Sequence, residues 1–272
     1  MTADKLTKRS SGTHAAWHFW YALSFCGESG LRKVGLCGIH PLTRRYEYLR
    51  FNRKESALFK LYYYPNNASL APHFLLHHVQ ADYELLLVDK KANVQKSADY
   101  LKLNPAGRIP TLIIDGQPIF ESPAICIHIC ELHPEYGLIP PIGDPKRPLF
   151  FQWLAFLNNT LQAELMVRYY PQRHTTDEAS IPSVIAAQDE RIAEALSVIN
   201  DQLGNGEYLL GDKLSACDYF LFMLAEWSLP IKQSPMTFNH LAVYLNRLSS
   251  NPTVRAVCEL EGIDLSPFES YS

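Results

Sequence analysis

Paired cysteines are the first thing this chain of 272 residues lacks. Cys26, Cys37, Cys126, Cys130, Cys217 and Cys258 are scattered, with no CxxC pair and no His/Cys cluster at zinc spacing. A dithiol redox motif and a metal site are thereby excluded as starting points. A chain of this length needs no disulfide staples, so the cysteines read as free thiols of a reducing, cytoplasmic setting. Cys126 and Cys130, four apart on an expected helix, read as small apolar residues on one buried face. Also missing is an apolar run long enough to span a membrane. Ala15 to Cys26 is too short, and as a signal-peptide core it is interrupted by His18 and lacks a small-x-small cleavage site. No internal repeat, low-complexity tract or heptad run is found. Nor is there a positive balance: the net charge of -3 argues against a nucleic-acid binder. With 47% hydrophobic and 19% charged residues, the chain belongs with folded globular proteins, not disordered ones.

What charge there is lies unevenly. Up to Ala57, ten lysines and arginines face four acids, which leaves roughly +6 there and about -9 in the remainder. The boundary near Glu55 separates a leader from a domain. Residues 1–57 are expected to be a poorly ordered leader outside the fold, or an over-long translation start. A targeting segment and a functional arm are the alternatives.

Beyond Leu58 the punctuation is regular. Leu58 to Tyr64 is a β-rich run halted by Pro65-Asn66-Asn67. Ser69 reads as an N-cap, followed by apolar Leu70, Phe74, Leu75 and Val79. Tyr83 to Val88 is a second strand, Ser97 to Leu103 a short helix, and Thr111 to Ile114 a third strand. Asp115-Gly116 turns into Pro118-Ile119-Phe120, and a helix runs from Pro123 to about Leu132. A βαβ unit followed by a ββ hairpin and a helix makes a small mixed sheet, the element order of a thioredoxin-like domain. After a Pro- and Gly-rich linker only helical patterns remain, near Leu149–Tyr170, Pro182–Leu203, Cys217–Leu229, Phe238–Leu248 and Pro252–Glu261. The fold class is therefore α/β plus all-α: a thioredoxin-like domain over 58–138, a linker over 139–148, an α-helical bundle over 149–264 and a tail over 265–272.

Two short segments carry chemistry. Ser122-Pro123 is a strong helix start, and first-turn amides at the positive end of a helix readily hold a carboxylate. Glu121 beside it suits an ammonium, so the pair fits the α-amino-acid head of a γ-glutamyl group. Ile109-Pro110 opens the third strand. A cis bond there would expose the Ile109 amide and carbonyl to an extended peptide, although only about one X-Pro bond in twenty is cis in folded chains.

Together these segments resemble a known family. Asn104-Pro105-Ala106-Gly107-Arg108-Ile109-Pro110-Thr111-Leu112, then Asp115-Gly116, then Phe120-Glu121-Ser122-Pro123-Ala124-Ile125, is similar to the central glutathione-binding signature of the glutathione transferases. Ser215-x-x-Asp218 resembles the helix-capping motif of the same family, and its role is structural. The resemblance implies that Ile109 contacts the cysteinyl backbone of glutathione, that Pro110 is cis, and that Glu121 and Ser122 hold the γ-glutamyl end. It covers about Leu58 to Glu261. Tyr62 to His73 resembles the bacterial beta class most, yet Ala68 stands where that class has a cysteine. Gln162-Ala163 likewise stands where that class has a His-Lys pair.

The thiolate of glutathione is the nucleophile, and a hydroxyl donor would stabilise it. Ser69 and Tyr63 are the catalytic candidates. Asn158, Asn159, Gln162, Arg168, Tyr169 and Tyr170 are candidate lining residues for the second substrate, whereas Trp153, Phe156 and Leu157 read as core. The expected activity is a glutathione transferase reaction, with glutathione as co-substrate attacking a hydrophobic electrophilic small molecule in detoxification. The alternatives are a glutathione-dependent thiol-disulfide or peroxide reductase, and a non-catalytic glutathione-binding module. A homodimer is expected from the resemblance; no metal, nucleic acid or membrane partner is.

Overall fold

The structure is a computed structural model that describes residues 58–269. The expectations for the leader and for the end of the tail lie outside the described residues.

Strand β1 (Phe59–Tyr63) buries Phe59 and Leu61. It pairs in parallel with β2 (Tyr83–Leu87), Phe59 facing Tyr83 and Tyr63 facing Leu87. Helix α1 (Leu70–His78) is the crossover that a parallel pair demands. After the short α2 (Ala98–Leu103), β3 (Thr111–Ile114) runs antiparallel to β1 with Leu61 opposite Leu112. β4 (Gln117–Phe120) closes the hairpin, for a sheet order β2-β1-β3-β4. Its turn needs two residues with positive φ, and Asp115 (φ 50°) and Gly116 (φ 75°) supply them. Helix α3 (Ser122–Leu132) follows and packs beside α1.

The remainder is helical apart from one isolated bridge between Tyr208 and Gly211. The expected helix Leu149–Tyr170 is instead three segments without a break. They are α4 (Arg147–Phe156), five π-helical residues Leu157–Leu161, and α5 (Gln162–Tyr169). Leu157 and Leu161 are buried, so the widened turn belongs to the core side of the rod. Helix α6 (Ile181–Leu203) lies against α5, fastened by Arg168 Nε donating to Asp189 Oδ1 at 2.8 Å and by an Arg191–Glu164 ion pair.

Helix α7 (Ala216–Ser228) is apolar almost all round, the signature of a helix with protein on every side. It backs both α1 and α3, and Phe74 of α1 stacks on Tyr219 at 5.5 Å between ring centres. The Ser215/Asp218 capping box is formed. Helices α8 (Asn239–Ser249) and α9 (Pro252–Glu261) follow, and a last short helix, α10 (Ser266–Glu269), was not legible in the sequence. Fully buried Phe268 holds α10 against Phe222 of α7.

Two cap expectations need correction. Ser69 has helical angles (φ -75°, ψ -16°) and makes no cap hydrogen bond, because its hydroxyl bonds elsewhere. Ser122 is the first helical residue of α3, and Glu121 occupies the cap position.

Candidate functional site

The segment before β3 is held from behind. Asn104 Nδ2 and Tyr100 Oη both donate to the Arg108 carbonyl at 2.8 Å, and Asn104 Oδ1 accepts from the Ala106 amide at 3.0 Å. Gly107 has φ 57°, and a Cβ there would come within 2.8 Å of Lys96 Nζ and 2.9 Å of the Gln95 carbonyl. Only glycine fits that approach without displacement. The Ile109-Pro110 bond is cis. The Ile109 side chain packs with Val88 and Tyr100, while its amide and carbonyl make no hydrogen bond to any described residue.

Across from it, Glu121 sits at φ 72°, ψ 113° immediately before α3. A non-glycine residue in such a conformation costs on the order of 1–3 kcal/mol and persists only where its surroundings hold it. The Ser122 hydroxyl donates to the Ala68 carbonyl at 2.5 Å. Its hydrogen is therefore committed, and the open donors at this helix end are the first-turn amides. That bond ties the start of α3 to the loop after β1.

The loop is Asn66-Asn67-Ala68, and neither catalytic candidate stands on its cleft side, Ser69 being fully buried and Tyr63 half-buried. Ser69 is fully buried, its Oγ accepting from the Tyr64 amide at 3.3 Å and donating to the Tyr64 carbonyl at 3.2 Å. The Tyr63 ring packs against His73, 6.4 Å between centres. Neither residue lines the cleft, whereas Asn66, Asn67 and Ala68 do.

Behind the loop runs a buried chain of hydrogen bonds. Tyr83 Oη and His73 Nε2 are 3.2 Å apart, and His73 Nδ1 meets Glu261 Oε1 at 2.7 Å. Glu261 Oε2 accepts from the Asn66 amide at 2.9 Å. From the other side, Trp227 Nε1 donates to Asn66 Oδ1 at 2.9 Å. Asn66, itself at φ 50°, is thus held by α9 through its backbone and by α7 through its side chain.

These pieces surround one cleft of about 1220 Å³. Ile109, Pro110, Glu121 and Ser122 stand on its wall, and so do Asn158, Gln162, Tyr169 and Tyr170 of the expected second-substrate set. Asn159 and Arg168 do not; Arg168 is spent on Asp189. Trp153 and Leu157 are core, as expected, and Phe156 is packed against it. The wall also carries Lys90, Lys96, Arg108 and Arg173 against Glu121 and Glu226, an excess of positive charge that suits an anionic ligand. Gln95 Oε1, Gln162 Oε1 and Glu226 Oε2 are buried without a hydrogen-bond partner among the described residues, and all three residues line this cleft. Native folds leave few such atoms, so their convergence marks a surface built for a polar ligand. Burial pushes the Glu226 carboxyl above the usual carboxylate range, with Asn66 working in the opposite direction. The sequence held one signal for Glu226, an acid late in an otherwise apolar stretch of α7; Gln95 and Met166 gave none.

Comparison with known proteins agrees with this geometry. The family model for the glutathione S-transferase N-terminal domain matches residues 57–131, and that for the C-terminal domain matches 163–252. A glutathione transferase structure from Methylococcus capsulatus str. Bath is 32% identical, with a TM-score of 0.65, over 75% of this chain and 98% of that one. The chain belongs to the glutathione S-transferase family. Among curated family members, glutathione S-transferase GstA of Escherichia coli O157:H7 is 27% identical over 75% of this chain and 99% of its own length. A sphingomonad glutathione S-transferase solved in complex with glutathione is 27% identical, with a TM-score of 0.67, over 75% of this chain and all of that one. The family consists of transferases that use glutathione as co-substrate, and the cationic wall with the orphaned Gln95 and Gln162 oxygens fits that tripeptide.

Proposed function

We propose that this transferase holds glutathione along Ile109, Pro110, Glu121 and Ser122 and presents its thiolate to a hydrophobic electrophilic small molecule, forming a carbon–sulfur bond. The observation that carries this is the shared cleft. Ile109, Pro110, Glu121 and Ser122 line one space, and the Ile109 amide and carbonyl make no hydrogen bond to the described residues. In this reading the Glu121 carboxylate pairs with the γ-glutamyl ammonium. The α3 amides take the neighbouring carboxylate, and the Ile109 amide and carbonyl pair with the cysteinyl unit.

The thiol is activated by whatever stabilises its anion. We assign Ser69 and Tyr63 to positioning, since each supports the loop from behind, and give the sulfur to the polar groups beside Ala68. Asn67, with no hydrogen bond through its side-chain atoms to the described residues, is the donor of choice. The absence of a cysteine at position 68 favours conjugation over mixed-disulfide chemistry. A homodimer engaged in cytoplasmic detoxification belongs to the same reading, and exposed Phe120, Leu149 and Phe151 offer apolar surface for a partner subunit.

A steady-state assay with an aryl halide, comparing wild type with Asn67→Ala, Ser69→Ala and Tyr63→Phe, is the test. Asn67→Ala is expected to lower kcat/KM by about 10- to 100-fold, as loss of one anion-stabilising donor does. Ser69→Ala is expected to lower both rate and stability, and Tyr63→Phe to change little. Loss of rate in Tyr63→Phe as large as in Asn67→Ala would return the role to the tyrosine hydroxyl.

A further inference from the structure

One cleft group is left without a task by glutathione binding. Glu226 lies in the last turn of α7, beside Trp227, whose indole bonds to Asn66 two residues from Ala68. Its Oε2 is buried and has no hydrogen-bond partner among the described residues, although Asn66 hydrogen-bonds to the carboxyl group, and the residue lines the cleft together with Asn66, Tyr169 and Met166. An acid in this position has no cation to answer: the ion pairs of the bundle next to it are Arg168–Asp189 and Arg191–Glu164, and neither involves Glu226. A partnerless carboxyl oxygen is costly unless it is protonated or used.

We propose that Glu226 is the general acid of this site, and that it selects α,β-unsaturated carbonyl compounds as the second substrate. The inference rests on the conjugation reading above. When the glutathione thiolate adds to the β-carbon of such a compound, the C–S bond forms and the C=C π bond breaks. The electron pair then moves to the carbonyl oxygen. Glu226 gives its proton to that enolate oxygen and becomes a carboxylate. The enol reverts to the ketone, and Glu226 regains a proton from water, replacing the one the thiol released on ionising. An aryl halide expels its halide as an anion and needs no such proton. Burial holds the Glu226 carboxyl above its ordinary range, which keeps the proton available nearer neutrality. The groups that feel its charge are Tyr169 on α5 and Cys258 on α9. Both titrate well above neutrality, Tyr169 raised by burial and Cys258 pushed to about 12. His174 on the cleft wall is the other group to control for.

The experiment measures kcat/KM for an enone and for an aryl halide on the full chain, and reads their ratio. Glu226→Gln is expected to lower the enone-to-halide ratio by about 100-fold, the low end of what general acids contribute. In wild type the ratio is expected to fall as pH rises through the carboxyl's pKa, and to go on falling so in His174→Gln. This second reading does not depend on whether Glu226→Gln folds. A ratio that is flat with pH in wild type, or unchanged in a folded Glu226→Gln, overturns the proposal while leaving conjugation intact. Wild type that turns over neither substrate overturns the conjugation reading, and this inference with it.

Discussion

Single residues decide how the Asn66-Asn67-Ala68 loop is held. Glu261 is buried and accepts both from His73 and from the Asn66 amide, 195 positions away in sequence. Replacing it with alanine leaves a buried imidazole and an amide without an acceptor, each costing about 1–3 kcal/mol. Glu261→Ala is therefore expected to lower the unfolding free energy by about 2–4 kcal/mol in urea titration and to raise KM for glutathione. A variant of unchanged stability would show that water replaces the carboxylate. At this scale the sequence was half legible. That Ile109, Pro110, Glu121 and Ser122 would come together could be read because a strand edge and a helix start are local features, written within fourteen consecutive residues. Glu261, Trp227 and Glu226 reach the loop only through tertiary packing, and no local pattern announces that. Ser69 does stand at the cap position of α1, but its hydroxyl braces the loop instead of capping, and a hydroxyl before an apolar run suits either role.

Among the elements, α7 is the one on which both halves depend. Its first turn is closed by Asp218, fully buried, which accepts from the Ser215 amide (2.7 Å) and hydroxyl (2.8 Å), the Leu209 amide (3.0 Å) and Tyr244 Oη (2.9 Å). Desolvation raises the Asp218 carboxyl despite those four donors. Asp218→Ala strands several buried donors together and is expected to destabilise the chain by at least about 3 kcal/mol. Thermal melting should show it, with the loss exceeding the 1 kcal/mol or so typical of a cap alone. The capping box was legible because four residues contain all of it. The π-helical stretch was not: Leu157-Asn158-Asn159-Thr160-Leu161 carries the same apolar spacing as an α-helix. A widened turn of this kind leaves no local signature in the residue pattern, and Asn158 within it lines the cleft.

For the whole molecule, the join between the sheet domain and the bundle is expected to contribute to the response to acid. His78 of α1 bonds through Nδ1 to Tyr219 Oη of α7 at 2.7 Å. Burial pushes Tyr219 well above its usual range, so the phenol is the donor and the imidazole the acceptor. His78 itself is lowered, chiefly by burial and then by His77. A histidine with a depressed folded-state pKa contributes stability that is present above about pH 6.5 and lost as pH falls through the lower folded value. Between pH 7 and pH 5 the urea midpoint is expected to drop further in wild type than in His78→Gln, which keeps an acceptor but cannot ionise. Equal drops would put the acid response elsewhere. The element order that gives this two-part architecture was legible almost throughout, because hydrophobic periodicity and turn residues act over short stretches.

The bond from Glu261 to the Asn66 amide also fixes when the site can come into being. The loop belongs to the early part of the domain, but the oxygen that holds it arrives with one of the last helices made. During synthesis the sheet domain leaves the ribosome with its Ile109-Pro110 edge already written yet its Asn66-Asn67-Ala68 loop unfastened. Under the proposed function, competence for glutathione then waits for α9, and a product terminated before Glu261 is expected to carry the signature without the site.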